Sequence, residues 1–116
     1  MRLEAKKYLF DIQRAAALIA EFTSGLSLEE YRSRPMVRAA VERECEIIGE
    51  ALAQLVKVDT AVADGISERR RIVAFRNILV HGYADVDDQL VWDVITTKLS
   101  TLQEEVNALL DAGRQT

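Results

Sequence analysis

The stretch Pro35-Met36-Val37-Arg38-Ala39-Ala40-Val41-Glu42-Arg43-Glu44-Cys45-Glu46-Ile47-Ile48-Gly49-Glu50-Ala51-Leu52-Ala53-Gln54-Leu55-Val56 decides the fold. Val37, Val41, Cys45, Ile48, Leu52 and Leu55 recur at gaps of 4, 4, 3, 4 and 3, which is one face of an α-helix. Pro35 suits the first turn, where its missing N–H would have had no partner. The spacing predicts a helix from Pro35 to about Val56. Cys45 lies on its apolar stripe and reads as a small buried hydrophobe.

Upstream, Leu9, Ile12, Ala16 and Ile19 repeat at gaps of 3, 4 and 3, so a first helix is predicted from about Leu3 to Thr23. Gly25 follows as a stop. Ser27-Leu28-Glu29-Glu30 reads as a capping box, with the Ser27 hydroxyl accepting from the Glu30 amide and the Glu30 carboxylate reaching back to the Ser27 amide. The short helix it starts must end before Pro35, because the residue before a proline avoids helical angles.

Downstream, Val58 to Ile66 reads as a loop, with Asp59, Thr60, Asp64 and Gly65 as breakers. Ser67 is expected to cap a further helix carrying Glu68 in its first turn and Ile72, Phe75 and Leu79 on its inner face. That helix should end near His81-Gly82, where glycine can take left-handed angles. Asp87 or Asp88 is expected to cap the last helix. There Ile95, Leu99, Leu102, Val106 and Leu109 repeat at 4, 3, 4 and 3, and Gly113 marks its end.

Three long amphipathic helices and two shorter ones with short connections predict an all-α fold. It is an antiparallel bundle of four to five helices in a single domain spanning residues 1–116. Tyr8, Ala15, Leu18 and Phe22 add a second apolar stripe to the first helix. A homodimer and one wide core account for it equally.

Composition narrows the function. Of 116 residues, 49% are apolar and 29% charged, enough to bury a core. Five glycines and one proline are too few for a fold of many short strands. The single cysteine excludes an intramolecular disulfide and a cysteine-based zinc site, and it fits a reducing cytoplasm. The single histidine excludes any site needing two from one chain, and no metal or other cofactor is expected. No export or membrane signal is visible: the longest apolar run near the start, Ala15 to Ala20, is far too short to span a bilayer. The cytoplasm is the expected compartment. A net charge of −4 gives no general attraction for nucleic acid, so any such contact needs a local basic patch. Arg69-Arg70-Arg71 reads either as that patch or as the solvated face of a helix beside Glu68. Arg38, Arg43, Glu42 and Glu46 read as the lining of a dimer cleft, although pairing of Arg38 with Glu42 one turn on is enough to explain part of that set. Trp92 is expected in the core or an interface.

The chemistry is concentrated in Arg76-Asn77-Ile78-Leu79-Val80-His81-Gly82-Tyr83. Arg76 can grip two phosphate oxygens and stabilise charge on a five-coordinate phosphorus. An imidazole at position 81 can move protons near neutral pH. RNA supplies its own nucleophile, the 2′-hydroxyl. Five residues turn about 500°, so in an unbroken helix Arg76 and His81 sit about 140° apart. They converge only if the helix unwinds at Gly82 or two subunits meet there. The same residues also fit plain structural roles: His81 as a cap for the last carbonyls, Arg76 in a salt bridge, Tyr83 as a packed aromatic.

The pattern R-x4-H-x-Y, filled by Arg76, His81 and Tyr83, resembles the signature of the HepT-like toxins of the HEPN superfamily. The flanks resemble the family too, over nearly the whole chain: Tyr8-Leu9-Phe10-Asp11-Ile12, Ile19-Ala20-Glu21-Phe22-Thr23, Gly25-Leu26-Ser27, Val41 to Ala51, Val86-Asp87 and Val91-Trp92-Asp93-Val94-Ile95. The resemblance implies a helical homodimer whose paired motifs form a cleft, and a metal-independent endoribonuclease in a type VII-like toxin–antitoxin module. It implies Arg76 and His81 as the catalytic pair, with Asn77 orienting them. It also implies a minimal nucleotidyltransferase antitoxin that transfers AMP onto Tyr83. The sequence departs from the family in having Ile66-Ser67-Glu68-Arg69-Arg70-Arg71 where a Pro-Trp pair is common, and Ala74 where a glycine is common. A module that binds a nucleotide or the partner enzyme without cleaving RNA is the other reading of the same motif.

Overall fold

The computed structural model describes residues 1–82 and 86–114. Among the described residues there are six helices and no strand: α1 (Leu3–Thr23), α2 (Leu28–Arg32), α3 (Pro35–Val58), α4 (Thr60–Ala63), α5 (Arg69–His81) and α6 (Asp88–Arg114). The fold is all-α, as its periodicities predict.

α1 has the predicted bounds and turns away at Gly25, whose φ of 74° lies in the left-handed region. The capping box before α2 is formed: Glu30 N–H donates to the Ser27 hydroxyl at 3.2 Å, and Ser27 N–H donates to the Glu30 carboxylate at 3.1 Å. α3 begins at Pro35 and runs two residues past Val56.

Four expectations about loops and helix ends need correction. Residues 58–66 are not a plain loop: Asp59 accepts from the Val62 N–H at 3.2 Å and starts the one-turn α4. Ser67 does not cap α5. Its amide and hydroxyl both donate to the Glu105 carboxylate of α6, so the hydroxyl faces away from α5, which instead follows Glu68 at a left-handed φ of 56°. Gly82 does not take left-handed angles either, its φ being −101°. Glycine suits that place because a Cβ would stand 2.7 Å from the Ile78 carbonyl oxygen, which accepts the Gly82 N–H. Gly113 lies inside α6, buried against Met1. The last helix is capped by Asp87, whose carboxylate accepts from the Gln89 N–H at 2.9 Å.

α1 packs on α3 and α6, and α3 carries α5 on its other flank. Alanines let α1 approach closely: Ala5, Ala15 and Ala16 are buried among Leu9, Ile12 and Ile19. From α3, Val41, Leu52 and Leu55 are wholly buried. Cys45 is buried as expected, and burial pushes its thiol up to about 12, which leaves it protonated and inert. Tyr31 of α2 is fully buried and packs its ring 5.3 Å from that of Trp92, so the tryptophan serves the core. Arg38 reaches Asp88 at the start of α6 at 2.9 Å rather than Glu42, pinning α6 to α3.

α5 and α6 do not close on each other. Between them runs an apolar groove of about 460 Å³, floored by Ile19, Cys45 and Ile48 and walled by Ile72, Phe75, Ile78, Leu90 and Leu99. Of the predicted inner face of α5, only Leu79 is buried; Ile72 and Phe75 are half-buried because they look onto this groove. α5 is strapped to α6 at its N-terminal end by Ser67–Glu105 and by Lys98 to Glu68 at 3.1 Å. No helix of the described residues is long and apolar enough to cross a membrane.

Candidate active site

α5 stays helical through His81, so the offset of about 140° between Arg76 and His81 holds within one chain. The two side chains occupy different surroundings. Arg76 lies at the edge of a polar cleft of about 510 Å³ formed with α1 and α3, lined also by Lys7, Tyr8, Arg43, Glu46 and Glu50. His81 is exposed at the last position of α5 and does not line that cleft. Among the described residues its ring makes no hydrogen bond to the carbonyls of the last turn, so it is not acting as their cap.

The Arg76 guanidinium is held at both terminal nitrogens. Nη2 pairs with Glu50 Oε2 of α3 at 2.8 Å, and Nη1 donates to Asn77 Oδ1 at 2.9 Å. Glu50 is held in turn by Gln54, one turn on, whose Nε2 donates to Oε1 at 3.3 Å. A guanidinium has five N–H donors, so three remain for a phosphate. The Arg76 side chain is still 30% exposed, so those donors are within reach of a ligand. Asn77 thus accepts from Arg76, whereas Glu50 was not legible as a site residue. The signal in the sequence was Gly49, a glycine inside a helix, which usually marks a close approach. A Cβ there would overlap that of Arg76 and stand 2.7 Å from its Cγ.

Of the basic run, Arg69 pairs with Asp64 at 3.0 Å and Arg71 with Glu68 at 3.0 Å, as a solvated helix face does. The ionised Glu68 carboxylate is favoured by its hydrogen bond to Lys98 and the charges of Lys98 and Arg71, which hold its pKa low. Tyr83 lies outside the described residues. Among the described residues no three His, Cys, Asp or Glu side chains gather as a metal site.

Six helices and no strand among the described residues define the class, that of small all-α domains. The model of one such family, described as Ribonuclease HepT-like, matches residues 12–109, and the chain belongs to the HepT-like ribonuclease family. Its curated relatives agree. A "Putative RNase" of Methanocaldococcus jannaschii is 32% identical over 103 residues, covering 89% of this chain and 94% of the relative. A "Putative RNase" of Caldanaerobacter subterraneus subsp. tengcongensis is 28% identical over 105 residues, covering 90% and 93%. A "Probable ribonuclease HepT" of Thermococcus cleftensis is 30% identical over 109 residues, covering 94% and 98%. No solved structure gives a significant match.

Proposed function

We propose that the protein is a metal-independent endoribonuclease toxin that acts as a homodimer, with Arg76 and His81 as its catalytic pair. The observation that carries this reading is the Arg76 guanidinium: fixed at two nitrogens, partly open to solvent, and set five residues before an exposed imidazole on the same helix. One chain keeps the two groups on different sides of α5. A second copy supplies the missing partner. The C-terminal half of α5 favours such pairing, because Ile78 and Val80 are exposed on either side of it, 51% and 36% respectively, next to His81.

The chemistry then balances without a protein nucleophile. The 2′-hydroxyl of RNA attacks the adjacent phosphorus and gives its proton to a neutral imidazole. The 5′-oxygen leaves and takes a proton from a protonated imidazole. A dimer holds two histidines, one for each role. Arg76 stabilises the added charge on the phosphorane oxygens. The products are a 2′,3′-cyclic phosphate and a 5′-hydroxyl. Cleavage of RNA in the presence of EDTA by wild type, and its loss in His81→Ala, is the expected result. Equal cleavage by both proteins overturns it and leaves a module that binds a nucleotide or a partner enzyme without cutting.

The same reading assigns control to Tyr83, two residues past His81. A minimal nucleotidyltransferase would transfer AMP from ATP to its hydroxyl, releasing pyrophosphate and placing negative charge and bulk where the RNA backbone must pass. Incubation with such an enzyme and ATP should raise the mass by one or more AMP groups, and Tyr83→Phe should abolish the increase.

A further inference from the structure

We propose that Glu50 of α3 is the positioning residue for Arg76, an inference that rests on the ribonuclease reading above. Four side chains form one polar line: Gln54 donates to Glu50, and Arg76 forms an ion pair with Glu50 and donates to Asn77. Glu50 is the member that ties α5 to α3. Without it, one terminal nitrogen of the guanidinium is released and the long side chain regains its rotamers. Asn77 cannot replace it, because it is the next residue on the same helix and moves with α5.

Gly49 supports this role independently. It lets the Arg76 stem lie directly on the α3 backbone, where any larger residue would collide with it. The Gly49-Glu50 pair therefore forms a seat: the glycine admits the stem and the carboxylate fixes the head. Glu50 and Arg76 are half-exposed, at 51% and 30%, and ion pairs of that kind contribute little to folding. What the contact mainly supplies is direction. It leaves three N–H groups of the guanidinium for a phosphate. A group that must meet a phosphorane within fractions of an ångström loses roughly 100-fold in rate when misplaced by about 1 Å.

The experiment compares wild type, Glu50→Ala, Glu50→Gln and His81→Ala as intact proteins on the same RNA, with far-UV circular dichroism confirming the fold. Glu50→Ala should lower kcat roughly 10- to 100-fold with a much smaller change in KM. Glu50→Gln, whose carbonyl oxygen still accepts from the guanidinium, should recover most of the rate. The pH profile of both should keep the shape of wild type. The Arg76 Nε–Hε resonance should move toward that of a free arginine in Glu50→Ala and stay in place in Glu50→Gln. Three results overturn the proposal: Glu50→Ala as fast as wild type; a lower KM with unchanged kcat, which marks Glu50 as a competitor of phosphate; or Glu50→Gln as slow as Glu50→Ala with a limb of the pH profile lost, which marks it as a base. If wild type and His81→Ala cleave alike, the ribonuclease reading has failed. The Arg76 resonance then decides positioning alone, and an unchanged signal in Glu50→Ala overturns it.

Discussion

The seam between α1 and α3 and the groove between α5 and α6 are made from the same residue types at the same helical spacing. In the seam, Leu9, Ile12, Ile19, Leu52 and Leu55 are wholly buried. In the groove, Ile78 is 51% exposed and Leu90 41%. The difference lies in what stands opposite. α1 brings the small buried side chains of Ala5, Ala15 and Ala16 into the core, and it packs closely on α3. Among the described residues α5 is tied to α6 near its N-terminus, by Ser67–Glu105 and Glu68–Lys98, and an apolar groove runs between the two helices beyond that. An apolar stripe therefore says that a face is to be covered. It does not say whether the cover belongs to the same chain.

Leu52→Ala should be the most damaging change to a single chain. It leaves a cavity in the closed seam and should cost about 2–5 kcal/mol in denaturant unfolding. A loss below 1 kcal/mol would mean that the seam is no tighter than the groove. Gly49→Ala comes next: the added methyl meets Arg76, and overpacking of this kind costs about 1–3 kcal/mol. It should also displace the guanidinium and slow RNA cleavage.

On the groove side, Ile78→Arg combined with Leu90→Arg should leave the stability of the isolated chain within about 0.5 kcal/mol, because both side chains are already half in water. The mass in solution should fall from dimer to monomer, and cleavage should go with it. A dimer that survives both arginines would place the second copy elsewhere.

The smallest effect concerns pH. Burial, with Asp88 and Glu46 nearby and Arg38 opposing them, raises the Glu42 carboxyl above its ordinary 4.5. The folded state then binds that proton more tightly than the unfolded one. At neutral pH the ionised group costs stability, and the cost disappears as pH falls through the raised value towards 4.5 and below. Glu42→Gln should therefore raise Tm modestly at pH 7 and leave it unchanged in acid. A higher Tm at both pH values would point to packing instead.

Much of the fold was legible because its signals are local. The bounds of α1, the Ser27–Glu30 capping box, the Pro35 start of α3 and the Asp87 cap each depend on residues within one or two turns. The misreadings of Ser67 and Arg38 involve distant partners. Ser67 has a capping residue's place, but Glu105 takes its amide and hydroxyl from 38 positions away. Arg38 has a carboxylate one turn on, yet it pairs across 50 positions with Asp88. The candidate site divides in the same way. Arg76, Asn77 and His81 stood out within one short stretch, whereas Glu50 is on another helix and only a mid-helix glycine hinted at it.

The sequence by itself determined an all-helical chain and the stretch that carries its chemistry, since helix periodicity, caps and motif spacing are properties of neighbours along the backbone. Only the tertiary structure decided that Arg76 faces α3 while His81 faces solvent, that a carboxylate from α3 fixes the guanidinium, and that α5 and α6 stay apart. Those facts depend on which helices approach closely enough to exclude water, and close approach is set by the combined shape of several helices.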